Sequence, residues 1–149
     1  MHKIHPQIRL MSSEKEKQEA LDFRQKHFFD RLKIQDPYRW ALGPADHLHW
    51  LLYDENKVIG YAHVQIWPGR RAALRIIVID EEMRGRGIGK YLMNFCEQTL
   101  KEQGIAILQT EASPKAYLFY KNLGYTEMPF NNPEGDPTHP DDTAMGKYL

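Results

Sequence analysis

Cys96 is the only cysteine among 149 residues, which excludes an internal disulfide framework and fits a reducing compartment. Placed among apolar residues at helical spacing, it is expected to be an inert core thiol. Charge of one sign is equally scarce: Lys+Arg and Asp+Glu both number 20, so no bulk field draws the chain to nucleic acid or an anionic membrane. Any polyanion site must be local. No run approaches the roughly 18 apolar residues of a membrane span, and the start of the chain shows no apolar leader. His47, His49 and His63 fall on neighbouring strand-like runs, but no cysteine or acidic ligand pattern accompanies them, so they are expected to pack rather than to hold zinc. These shortages leave a single cytoplasmic domain over residues 1–149, monomer or homodimer, with no metal and no nucleic-acid or membrane partner. A hydrophobic content of 42% is enough for an ordinary core at this size.

What is present is concentrated in Arg84-Gly85-Arg86-Gly87-Ile88-Gly89-Lys90. The run before it, Leu74-Arg75-Ile76-Ile77-Val78-Ile79, is apolar and β-branched, as a strand buried on both faces would be. After it, Ile88, Leu92, Phe95, Cys96 and Thr99 recur at helical spacing until Gly104, a natural stop. A helix that begins among glycines presents amides without intrahelical partners and the positive end of its dipole, and Arg84, Arg86 and Lys90 add formal charge. The expected guest carries phosphate. A dinucleotide fingerprint is excluded, because its third glycine would fall on Lys90 counted from Gly85, or on Leu92 counted from Gly87. A Walker A loop is excluded as well, with Arg84 in place of its first glycine and Tyr91 in place of its Ser or Thr. A tight strand-to-helix turn could use the same glycines for structure alone.

Elsewhere the punctuation is clear. Ile8–Met11 reads as a strand, and Ser12 or Ser13 with Glu14 and Glu16 starts a helix that runs through Ala20 to Phe29. Loops follow around Asp36-Pro37-Tyr38 and Gly43-Pro44-Ala45-Asp46. His47–Tyr53 and Val58–Trp67 form a hairpin about Asp54-Glu55-Asn56-Lys57. Pro68-Gly69-Arg70-Arg71 is a charged tip leading into the strand that ends at Ile79, and Ile105–Gln109 returns parallel to that strand through the helix. Ser113-Pro114 predicts the N-cap and first position of another helix, which runs to Leu123 and stops at Gly124. Tyr125–Met128 and Thr143–Tyr148 close the sheet around a proline-rich loop whose Glu134, Asp136, Asp141 and Asp142 favour a cationic amine.

The sequence R-G-x-G-x-G from Arg84 to Gly89, behind a strand and ahead of a helix, resembles the pyrophosphate motif of the GNAT superfamily of acyl-CoA-dependent N-acyltransferases. Ala116–Tyr125 is similar to that family's A-x-x-x-Y-x-x-x-G-F/Y pattern, and with Gly60 opening the third-strand run the resemblance covers residues 47–126. The N-terminal part, with Arg24, Phe28, Pro37-Tyr38 and Asp46 in similar order, is similar in outline to the ElaA-like subgroup. The resemblance implies a mixed α/β fold: a twisted mixed sheet flanked by helices, in which the strand ending at Ile79 splays from its parallel neighbour and acetyl-CoA lies in the opening as cosubstrate. It implies pairing of pantetheine with the backbone of Ile77, Val78 and Ile79, and pyrophosphate binding by Arg84, Gly85, Arg86, Gly87, Ile88, Gly89 and Lys90. Further cofactor contacts would come from Ser113 and Tyr117.

The implied reaction is direct attack by a primary amine of a small molecule or a peptide, in a ternary complex. Tyr120 matches the family's phenolic acid, which protonates the leaving thiolate. Two positions depart from the pattern. Ser113 stands where many relatives place an asparagine, and it reaches less far. The acidic base of some members has no counterpart, since Ala73 and Leu108 hold the matching positions. That leaves Glu111, expected at the start of the loop before Ser113, and His63 as candidates. A non-catalytic acyl-CoA-binding module and a nucleotide-binding regulator built on the same glycines remain alternatives.

Overall fold

The computed structural model describes residues 4–149. In chain order it contains β1 (Pro6–Leu10), α1 (Glu14–Arg24), β2 (His47–Asp54), β3 (Lys57–Trp67), β4 (Arg71–Ile79), α2 (Ile88–Glu102), β5 (Ile107–Ala112), α3 (Tyr117–Asn122), β6 (Thr126–Glu127) and β7 (Thr143–Tyr148). The strands form a seven-stranded sheet in the order β1-β2-β3-β4-β5-β7-β6. The expected mixed α/β architecture is therefore present, with β4 and β5 as its parallel pair. By packing, one unit gathers residues up to Val64 with Ile76–Met93, and the other gathers Gln65–Arg75 with Asn94–Leu149.

In the first unit α1 starts where its cap predicts. Ser13 Oγ accepts from the Glu16 amide at 3.1 Å, and Glu16 Oε1 accepts from the amides of Ser12 and Ser13 at 2.9 and 3.1 Å. The Ser12 amide bond leads the contacts that hold the Glu16 carboxyl below its ordinary range. The far end of α1 differs from expectation: the α-helix stops at Arg24, widens into a π turn at Gln25–Phe29 and tightens into a 3-10 turn at Asp30–Leu32. The cause lies in two polar side chains that hold the following segment back over the helix end. Arg24 Nε pairs with Asp36 Oδ2 at 2.7 Å, with both side chains at most 1% exposed. Gln25 donates to Asp30 Oδ1 and Ile34 O and accepts from the Asp36 amide.

The apolar core of this unit joins Ala20, Leu21, Phe23 and Phe29 to Leu51, Tyr53 and Tyr61 and to Ile76 and Val78 of β4. A line of polar groups runs beside it: Arg24 Nη1 donates to the Tyr61 hydroxyl at 3.0 Å, and that hydroxyl meets His49 Nδ1 at 2.6 Å. Gly60 is fixed by crowding, because a Cβ there would come within 2.9 Å of Ile79 Cδ1 and 3.2 Å of Leu52 Cδ2.

In the second unit the β4–β5 ladder runs from Arg71↔Ile107 to Leu74↔Thr110, and β7 pairs antiparallel with both β5 and β6. β5 begins two residues later than the sequence predicts, since the Ile105 amide turns back to Leu100 O and the Ala106 amide to Arg70 O. It also ends later, at Ala112, so Glu111 is a strand residue and not the first residue of a loop. The predicted cap of α3 is a second correction. Ala116 occupies the cap without a side-chain bond, and Ser113 instead offers its carbonyl to the amides of Ala116 and Tyr117. Ser113-Pro114 thus builds a turn ahead of a shorter helix. Within α2, Glu97 accepts from the Tyr125 hydroxyl and from Lys147 Nζ, each at 2.8 Å. Cys96 beside it is fully buried, and burial pushes its thiol up to about 12, which leaves it inert as expected.

Arg71 is not part of a hairpin tip. It is the first residue of β4, and its guanidinium bonds Gln109 Oε1, Phe130 O and Asn131 O, clamping the long loop before β7. Gln109 Nε2 adds bonds to Pro129 O and Phe130 O, and the Phe130 ring packs with Trp67 and Ala73.

Candidate functional site

In the first unit the end of β4 leads into the glycine turn. Asp80 fixes its start: the Asp80 amide donates to Ile59 O at 2.9 Å, and its carboxylate accepts from the Glu82 amide at 3.0 Å. A 3-10 turn at Glu81–Met83 follows, then Arg84 in extended conformation. Gly85 and Gly87 both have φ of +76°, the region an L side chain avoids, and a Cβ at either would meet nothing within 4 Å. Conformation, and not space, demands glycine at these two positions. From Ile88 onward the chain is helical, and the Tyr91 amide bonds Gly87 O at 3.0 Å. Ile88 is buried and anchors the turn, whereas Arg84, Arg86 and Lys90 are exposed. The start of a fifteen-residue helix thus carries three exposed cations within a few residues of it in sequence, an arrangement suited to a phosphate group. Ile77 and Ile79 are half-buried and Val78 is buried on the opposite side of the strand. The β4–β5 register ends at Leu74, before these three residues.

The same unit holds the three histidines. His47 Nδ1 and His63 Nε2 lie 2.8 Å apart, and the His63 ring stacks on His49 at 4.3 Å. His49 Nε2 meets the carbonyl of Ala41 at 2.8 Å.

In the second unit Tyr120 is buried on α3 against Phe119 and Tyr125. Burial raises its phenol to about 12, so it keeps its proton at neutral pH. Thr110 Oγ1 donates to Leu74 O at 3.1 Å, at the last rung of the parallel ladder. Glu111, the next residue on β5, points to the other face of the strand. There its Oε1 lies 4.0 Å from Arg75 Nη1. The two candidate catalytic groups therefore sit on opposite faces of one strand. Tyr117 is accounted for by a bond from its hydroxyl to Glu127 Oε2 at 3.2 Å, and Ser113 is exposed.

Three polar residues of this unit went unread in the sequence: Gln65, Arg75 and Thr110. Arg75 bonds Gln65 Oε1 through Nε and Nη2 at 3.2 and 2.8 Å, beside the packed rings of Trp67 and Phe130. The available signal was the spacing of Arg71 and Arg75, four apart in an otherwise apolar strand and so on one face.

The family model described as "Acetyltransferase (GNAT) family" matches residues 11–125, and the chain belongs to that family. A Bacillus subtilis (strain 168) chain named "Putative acetyltransferase BSU40680" is 30% identical over 121 residues, covering 79% of this chain and 82% of its own. Among solved structures, Tetrahymena GCN5 superposes with a TM-score of 0.79 at 21% identity, over 96% of each chain. The PaiA N-acetyltransferase of Thermoplasma acidophilum, determined in complex with coenzyme A, superposes with a TM-score of 0.75 at 16% identity, over 98% of this chain and 100% of its own. At such identities the two structures speak for the fold.

Proposed function

We propose that this chain transfers an acetyl group from acetyl-CoA to a primary amine, in a ternary complex without a covalent enzyme intermediate. The observation that carries the reading is the glycine turn with two positive-φ residues feeding the start of α2 among Arg84, Arg86 and Lys90. A pyrophosphate fits such a turn, because amides without intrahelical acceptors and flexible cations converge where no side chain fills the space. The amides of Gly85, Gly87, Ile88 and Gly89 would bind it, and the backbone of Ile77, Val78 and Ile79 would pair with the pantetheine arm. Ser113 would add a contact of shorter reach than an asparagine, and Tyr117 would add one by giving up its bond to Glu127.

Bound acyl-CoA supplies the activated thioester. Tyr120 holds a proton on its hydroxyl, its ring packed against Phe119 and Tyr125, and would give it to the departing thiolate sulfur. Glu111, on the opposite face of β5 from Tyr120, would take a proton from the acceptor ammonium at its carboxylate, directly or through water, at the strand edge that the parallel ladder leaves unpaired beyond Leu74↔Thr110. The nitrogen loses two protons in all: one to Glu111 and on to solvent before attack, and one as the C–N bond forms, which returns to Tyr120 through water, while the thioester C–S bond breaks and the sulfur takes the Tyr120 proton. Thiol release with a panel of primary amines, alongside CoA binding by calorimetry, tests the reading. Acetyl-CoA-dependent release supports it, whereas CoA binding with no release for any amine favours a sensing module.

A further inference from the structure

Arg71 and Arg75 share one face of β4 and both lie over Trp67, with guanidinium carbons 4.8 and 5.5 Å from the ring centre. Their donors are used differently. Arg71 spends Nη1 and Nη2 on Gln109 and two loop carbonyls. Arg75 turns Nε and Nη2 to one oxygen of Gln65, whose amide donates to Glu134 Oε1 at 3.2 Å. Glu134, one of the loop acids that the sequence offers to a cationic acceptor, is exposed and uses one oxygen for this bond. Among the described residues no acceptor lies within hydrogen-bond distance of Arg75 Nη1; Glu111 Oε1 stands off at 4.0 Å, and the two side chains are 23% and 26% exposed.

A guanidinium carries five donors in a rigid fork, and here rings and an amide hold that fork still while one edge stays unfilled. At 4.0 Å the pair presents a positive and a negative group side by side and reachable from solvent.

We propose that Arg75 and Glu111 are a split ion pair that selects a free amino acid as acceptor, Arg75 binding its carboxylate and Glu111 its ammonium. The proposal rests on the N-acyltransferase reading and narrows its substrate class. The short distance between the two groups favours a carboxylate and an amine on neighbouring carbons. A diamine would gain one carboxylate and meet a guanidinium, and a peptide N-terminus would leave Arg75 without its anion. Lysine at position 75 would not restore the site, since an ammonium lacks the planar fork.

The test compares a free amino acid, its primary amide and the corresponding amine without the carboxyl group as acceptors in thiol release. The wild type is expected to favour the amino acid over its amide by roughly tenfold or more in kcat/KM, the scale of a charge-assisted bond. In Arg75→Gln that ratio should fall close to one through a rise in KM for the amino acid. Equal or better use of the amide or the amine by the wild type overturns the proposal, whether or not the variant folds. An unchanged ratio in a folded Arg75→Gln overturns it as well. CoA binding, followed by calorimetry on the same samples, separates the levels: binding retained without amino-acid preference removes only this proposal, and no CoA binding removes the cofactor reading beneath it.

Discussion

The Tyr61 hydroxyl meets His49 Nδ1 at 2.6 Å, and the direction of that bond follows from its neighbours. His49 Nε2 faces the carbonyl of Ala41, which can only accept, so Nε2 carries the proton and Nδ1 is the acceptor. Tyr61 therefore donates to His49 while accepting from Arg24 Nη1. A neutral His49 is what this chain of bonds requires, and burial lowers its value from 6.5 to about 4.

That depression fixes a pH dependence. Between about 4 and 6.5 the unfolded chain binds a proton at this histidine and the folded chain does not, so stability rises with pH across the window and is lost as pH falls. The effect is on the order of 3 kcal/mol between the limits. Urea titrations from pH 7 to pH 4 should show this slope in the wild type and a shallower one in His49→Gln. Equal slopes would mean that His49 is charged in the fold.

The buried Arg24–Asp36 pair makes a different prediction. Asp36→Ala leaves a guanidinium buried without its counter-charge and should cost about 3–5 kcal/mol in urea unfolding. Arg24→Met combined with Asp36→Leu removes both charges and should recover much of that loss. A double variant no more stable than Asp36→Ala would show that the pair holds the 25–36 segment by its hydrogen bonds and not by charge balance.

Tyr120→Phe should keep CoA affinity and lower kcat, because only the donated proton is removed. If single-turnover rates match the wild type, Tyr120 is a packing residue against Tyr125. Glu111→Gln is the partner test: the limb of the pH–rate profile that reports the base should disappear, and its survival would move that role elsewhere, with His63 next in line.

Arg71→Ala should free the loop at residues 129–142 without unfolding the sheet, since two of the bonds that hold that loop, to the carbonyls of Phe130 and Asn131, come from one guanidinium. Amide exchange by mass spectrometry is expected to rise in this loop and to stay unchanged in β1 and α1. Unchanged protection in the loop would place the anchor in Phe130 and Gln109.

Local signals were legible in the sequence and distant partners were not. The Ser13 cap, the hairpin of β2 and β3, the start of α2 at the glycines and the whole of β7 follow from periodicity and punctuation within a few residues. The π turn after Arg24 depends on Asp36 and Ile34, which only the fold brings back over the helix end. Arg71 looked like a solvated turn because its acceptors are carbonyls about sixty residues away. Glu111 looked like a loop residue because Ser113-Pro114 reads as the strand boundary, yet pairing with Ala144 carries β5 past it. At the site the glycine turn was readable from type and spacing alone. The Arg75–Gln65–Trp67 arrangement was not, because the alternation of an apolar strand shows which residues share a face but not what they meet there.

CoA binding to the wild type and to Gly87→Asp, measured by titration calorimetry, tests the central claim most directly. The added Cβ has no neighbour within 4 Å, so the cost to the fold is the positive φ alone, about 1–2 kcal/mol, and circular dichroism should stay native. A carboxylate at that position opposes the pyrophosphate with like charge. The account predicts saturable CoA binding by the wild type that weakens with added salt, and no measurable binding by folded Gly87→Asp. Equal CoA affinity in the two proteins would contradict it.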